Sequence, residues 1–136
     1  MNRIVLIFAL ALTAIFQSFG QDVKEQQKVE VYYFHATMRC PTCLAVEEQT
    51  RKTLDENFSD EMKTGTVKLI VLNLEEEENK ALTEQFEVGW SSLILYVPES
   101  KKTVNLTEDA FATARSKPEE FRAELEKEIK SLVLSL

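Results

Sequence analysis

The chain's two cysteines, Cys40 and Cys43, lie three residues apart in Met38-Arg39-Cys40-Pro41-Thr42-Cys43. They fall between a strand-like run, Val29 to Phe34, and a helix-like run, Leu44 to Phe58. A thiol at a helix N-terminus meets unpaired backbone N–H groups and the positive end of the helix dipole, which lowers its pKa and makes it a better nucleophile near neutrality. A second thiol one turn on can resolve the mixed disulfide that the first one forms. Cys40 is therefore the expected nucleophile and Cys43 the resolving residue. The competing reading is an inert structural pair, and placement at a helix start weighs against it. Two cysteines this close cannot staple distant segments, so a disulfide between them would be chemical rather than a framework.

The neighbouring residues each carry a chemical and a structural reading. Arg39 can favour a thiolate at Cys40 by charge, or simply stand at the surface. Pro41 and Thr42 are expected to stiffen the turn between the sulfurs, since proline at the first helical position loses no needed N–H. His35 is the sole histidine, and a packed neutral ring at a strand end is favoured over a catalytic one, although its pKa range keeps it a candidate. Met38, Cys40, Cys43 and His35 also form an alternative soft-metal set, because M-x-C-x-x-C suits Cu(I). A structural zinc site needs four ligands, which two cysteines and one histidine do not supply. The preferred reading assigns no metal.

Beyond the motif, the elements that must position it follow from periodicity. Val29 to Phe34 reads as a strand buried on both faces. Val46, Thr50, Leu54 and Phe58 recur at helical spacing. Thr64-Gly65 marks a turn before a second buried strand, Val67 to Leu74. Glu75 to Glu78 is expected to open a second helix that turns Ala81, Leu82 and Phe86 inward, because acids complement the dipole at a helix start. Ser92 to Val97 and Thr103 to Leu106 read as an antiparallel hairpin. Thr107 to Arg115 carries no clear signal beyond a single helical turn. Ser116 and Glu119 have capping-box spacing, ahead of a helix striped by Phe121, Leu125, Ile129 and Leu132. The order is β-α-β-α-β-β-α, an α/β domain with a mixed four-stranded sheet.

The compartment follows from the other end of the chain. Arg3, the apolar run Ile4 to Phe16 and Ser18-Phe19-Gly20 predict a secretory signal over residues 1–20, cleaved before Gln21. The apolar run is shorter than the ~20 residues of a membrane span. Residues 21–28 then form a polar tether and residues 29–136 a single domain. The predicted location is exported, periplasmic or extracellular, with no membrane contact after cleavage. A net charge of −7 leaves no basic patch for phosphates and argues against a nucleic-acid partner.

This element order, with C-x-x-C between the first strand and first helix, resembles the thioredoxin superfamily. Asn73-Leu74-Glu75 closing the second strand and Phe86-Glu87-Val88 before Ser92-Leu93-Ile94-Leu95-Tyr96 resemble the same segments of thioredoxins. Tyr32-Tyr33-Phe34-His35-Ala36-Thr37-Met38-Arg39-Cys40-Pro41-Thr42-Cys43 is similar to a narrower group of small exported bacterial proteins labelled nitrophenyl compound nitroreductase subunits. The resemblance implies a three-layer thioredoxin-like fold and a thiol–disulfide oxidoreductase whose partners are protein or small-molecule thiols and disulfides. No flavin or nicotinamide signature accompanies it, and no cofactor is expected. It also implies that the segment Trp90-Ser91-Ser92 faces the cysteines. The chain departs from the pattern at Ser92, where the family keeps a cis-proline, and the Ser91–Ser92 peptide is expected to be trans. The acid that thioredoxins bury in the first strand is missing too. Its neighbourhood holds Tyr33 and Phe34, so proton transfer at Cys43 needs another group or water. Vestigial chemistry on a partner-binding module is the third reading.

Overall fold

A computed structural model describes residues 27–136. The predicted signal over 1–20 and most of the tether lie outside the described residues. β1 (Val29–His35) is followed by α1 (Pro41–Asn57), α2 (Ser59–Thr64) and β2 (Val67–Asn73). A single 3₁₀ turn (Glu77–Asn79) leads into α3 (Lys80–Gln85), then β3 (Ser92–Val97), β4 (Lys102–Asn105), α4 (Thr107–Thr113) and α5 (Pro118–Leu134). Among the described residues no helix is long and apolar enough to cross a membrane.

The four strands form one mixed sheet in the order β2-β1-β3-β4. β1 and β2 run parallel, with Val29 beside Val67 and His35 beside Asn73. β3 is antiparallel to β1, so that Ser92 lies beside Phe34, and β4 returns antiparallel to β3. The sheet is mixed and four-stranded as expected, and its strand order is consistent with the thioredoxin-like fold that the resemblance implies. It brings the carboxyl ends of β1, β2 and β4 together with the amino end of β3, and the C-x-x-C emerges there.

Alternation along β1 divides its side chains between two layers. Val29, Val31 and Tyr33 join the main core with Val46, Leu54 and Phe58 of the α1 side and Phe121, Leu125, Ile129 and Leu132 of α5. Both helical stripes read from the sequence are thus buried as expected. Tyr32, Phe34 and Ile94 occupy the opposite face beneath Leu82 and Phe86, where Phe86 meets Tyr32 at 4.9 Å and Tyr96 edge-on at 5.2 Å between ring centroids. Glu30 is buried on that same face. Its carboxylate accepts a 2.8 Å hydrogen bond from the Tyr32 hydroxyl and an ion pair from Lys28 at 3.1 Å, which offsets the cost of burying the charge.

Several local expectations are corrected. The first helix starts at Pro41 as expected and ends at Phe58 (φ −134°, ψ 23°), but a short further helix, α2, follows where only a turn was expected. Gly65 closes α2 in the left-handed region at φ 82°, the conformation glycine adopts without a Cβ penalty. The second strand is not fully buried: of its seven residues only Val67 is, because β2 is a sheet edge. Glu75 and Glu76 sit in a turn, the α-helix waits until Lys80, and Ala81 is exposed. Asn79 orders that turn instead, donating from Nδ2 to the Asn73 carbonyl at 2.8 Å. Thr107–Thr113 forms a two-turn helix. The capping box fails, because Lys117 is the N-cap without a side-chain bond and the Ser116 hydroxyl donates to the Ala112 carbonyl at 3.1 Å.

Candidate functional site

Cys40 sits at the N-cap of α1 with extended backbone (φ −75°, ψ 160°), and its sulfur accepts the Cys43 backbone N–H at 3.2 Å. Pro41 takes the first helical position as predicted. The Cys43 sulfur lies 2.6 Å from that of Cys40, about half an ångström beyond a covalent S–S distance. Both are free thiols, Cys40 exposed and Cys43 only 8% exposed. The Cys40 thiol is held below its usual pKa, first by the hydrogen bond from the Cys43 thiol and then by the backbone N–H groups of Cys43 and Thr42. Thr42 thus contributes through its amide. Alkylation of the reduced protein by iodoacetamide should label Cys40 before Cys43, with a pH midpoint below the ~8.5 of an unperturbed cysteine. Equal labelling of both thiols, beginning only above that pH, would contradict the geometry.

The approach to Cys40 is pinned from β2. Thr37 donates its backbone N–H to the Glu75 carboxylate at 3.2 Å, and Asn73 Nδ2 donates to the Thr37 hydroxyl at 3.0 Å. These bonds explain how the five-residue link between strand and helix keeps a fixed path.

Arg39 takes up contacts that neither of its two sequence readings, thiolate support or plain surface charge, had named. Its guanidinium pairs with Glu47 at 2.6 Å, lies 5.7 Å from the centre of the Tyr33 ring and reaches the Cys43 carbonyl at 3.4 Å. Burial opposes the Arg39 charge, but its contacts with Glu47 and Tyr33 together outweigh that cost and raise its pKa. Tyr33, which sequence reasoning treated only as a core position, donates its hydroxyl to the same Cys43 carbonyl at 2.7 Å. Burial pushes its pKa up to about 12, so the phenol stays protonated and serves as a donor. The Cys43 peptide is therefore gripped by two side chains, one from the strand before the motif and one from the motif itself.

Of the two serines opposite the cysteines, Ser91 meets the sulfur. Its hydroxyl lies 3.9 Å from Cys43 Sγ. Ser92 is 3% exposed and donates its hydroxyl to the Trp90 carbonyl at 2.8 Å. Cis peptides are absent among the described residues, so the Ser91–Ser92 bond is trans as expected. Trp90 projects into solvent, 71% exposed. Between Trp90 and Cys43 lies a cleft of about 370 Å³, completed by Ser91, Thr107, Glu108 and Phe111. The last three residues went unrecognised because they lie more than sixty positions from the motif in sequence. The link that brings them in is the Thr107 hydroxyl, which accepts the Leu93 N–H at 3.0 Å. A larger concavity of about 650 Å³ runs along α5 past Lys130 and Leu134 and includes neither cysteine.

His35 is not part of the sulfur pair's polar contacts. Its Nδ1 lies 3.1 Å from the Ala36 carbonyl and its ring packs 6.2 Å from that of Tyr33. Met38 is exposed. Among the described residues no group of three or more His, Cys, Asp or Glu side chains is placed to hold a metal ion.

Neither a family model nor a curated protein matches the chain. Among solved structures it is similar to one described as a malarial protein, with 22% identity over 58% of this chain and 75% of that one, at a TM-score of 0.39.

Proposed function

We propose that the protein is an exported thiol–disulfide oxidoreductase working through Cys40 and Cys43. One observation carries the reading: an exposed thiol of lowered pKa at a helix N-cap stands 2.6 Å from a buried partner thiol. In the reduced protein the Cys40 thiolate attacks one sulfur of a substrate disulfide, forming a mixed disulfide and breaking the substrate S–S bond. The departing sulfur takes up a proton as a thiol. Cys43, having given up its proton, then attacks Cys40, closes the intramolecular disulfide and releases the second substrate thiol. Two electrons pass from the cysteine pair to the substrate. The same steps run backward when the oxidised pair meets a dithiol.

The chain's other residues prepare this exchange. Backbone N–H groups at the start of α1 stabilise the Cys40 thiolate, while Tyr33 and Arg39 fix the peptide that carries Cys43. Ser91 offers a hydroxyl beside the Cys43 sulfur. Equilibration in glutathione redox buffers, read by the mass change on thiol labelling, tests the proposal. The pair is expected to titrate as one two-electron couple between about −270 and −120 mV, the span of exchange-active dithiols. A pair that stays reduced throughout that range, or that forms only disulfides between chains, would overturn it.

A further inference from the structure

Trp90 lines two clefts, and each includes a glutamate. The first is the one beside Cys43, with Glu108. The second, of about 470 Å³, shares Trp90 and Glu108 with it and is lined by Glu87 as well. Every charged residue lining the two clefts is an acid. Arg39 lines neither cleft and is held by Glu47, which also pairs with Arg51. Glu87 is held at φ 53°, a left-handed conformation that side chains with a Cβ rarely adopt.

We propose that the site selects disulfides carrying a positive charge close to the sulfur, such as a cystine flanked by lysine or arginine. The proposal rests on the oxidoreductase reading and deepens it. A substrate sulfur bonded to Cys40 lies beside the cleft that Cys43 shares with Trp90, because the two cysteine sulfurs are 2.6 Å apart. A cationic group one or two bonds from that sulfur can then lie against the indole, which attracts cations through its ring face, and between the Glu87 and Glu108 carboxylates. An anionic disulfide meets repulsion on the same path, so discrimination has both an attractive and a repulsive part. Because the carboxylates are exposed, the attraction is screened by salt.

The test uses reduced full-length mature protein and two small disulfides of similar size, dicationic cystamine and dianionic 3,3′-dithiodipropionate. Second-order rate constants for their reduction are divided by those measured with uncharged dithiothreitol, which removes the intrinsic difference between the two disulfides. The expected normalised preference for cystamine is about tenfold at low salt, shrinking several-fold at 0.5 M salt as exposed charges are screened. Glu87→Gln combined with Glu108→Gln should take most of it away. Glu99→Gln, in the turn at the far end of the β3–β4 hairpin, removes one negative charge away from the site, half the change made by the double substitution, and should preserve it. The inference is overturned by a preference near unity, or by one that survives the double substitution or falls equally with Glu99→Gln. Reduction of neither disulfide by the Cys40–Cys43 pair would instead sink the oxidoreductase reading, and the substrate preference with it.

Discussion

A Cys43→Ser variant is expected to remain covalently joined to its substrate through Cys40, one substrate thiol per chain, whereas Cys40→Ser should lower disulfide reduction by at least about a thousandfold. The asymmetry follows from where the two sulfurs sit. Cys40 is exposed, accepts the Cys43 N–H and faces the start of α1, so it meets the substrate first. Cys43 is buried beneath it, 2.6 Å away, out of a substrate's reach but within reach of the mixed disulfide. Serine at position 43 supplies no thiolate to resolve that bond. Non-reducing electrophoresis and intact mass should show the adduct, and dithiothreitol should release it. Adducts formed equally well through Cys43 in a Cys40→Ser protein would reverse the assigned roles.

Much of this site could be read from the chain itself. The paired thiols, the proline at the first helical position and the strand-to-helix junction are local features, and short-range rules govern them. The β1, β3 and α5 cores were legible for the same reason, since Val29 to Phe34 and the Phe121, Leu125, Ile129, Leu132 stripe each announce their burial by period. Tyr33 was legible as core but not as a donor to Cys43, because alternation says which face a side chain takes and nothing of where its hydroxyl ends. Glu108 and Phe111 were hidden more deeply. They reach the sulfurs only through the β3–β4 return, and α4 has no side-chain cap to mark its start. The capping box at Ser116 failed for a physical reason as well: Pro118 fixes the first helical position, so Lys117 becomes the cap, and the Ser116 hydroxyl turns back to the preceding helix. The even appearance of Val67 to Leu74 concealed an edge, since apolar composition does not say which strands have neighbours on both sides.

Truncating Leu54 to alanine should cost ~2–5 kcal/mol of stability, a large part of the ~5–15 kcal/mol that holds a typical domain together. Leu54 is fully buried on α1 and belongs to the cluster shared with Phe58, Phe121 and Leu125. Close packing around it leaves little freedom for the neighbours to fill the space of the lost side chain. Urea unfolding followed by circular dichroism should show a lower midpoint with an unchanged slope. Leu134→Ala, at an exposed position of α5, should change stability by less than about 0.5 kcal/mol. A Leu54→Ala loss below about 1 kcal/mol would mean that α1 is not anchored by this core, and that the fixed spacing of the two thiols has some other origin.

The two borders of the sheet are unlike each other, and that has a colloidal consequence. β4 is four residues long and exposes Lys102, Thr103 and Asn105, a border poorly suited to accepting another strand. β2 is seven residues long, half-exposes Leu69, Ile70, Val71 and Leu72, and carries a single charge at Lys68. Its outward N–H and C=O groups are the natural template for a neighbouring molecule. Long-range repulsion from the net charge of −7 opposes such pairing, and salt at 0.1 M cuts that repulsion off beyond about 10 Å. Concentrated solutions of this protein therefore keep best at low ionic strength and well above the isoelectric point of about 4.8, where its acidity guards the border that its own sequence leaves open.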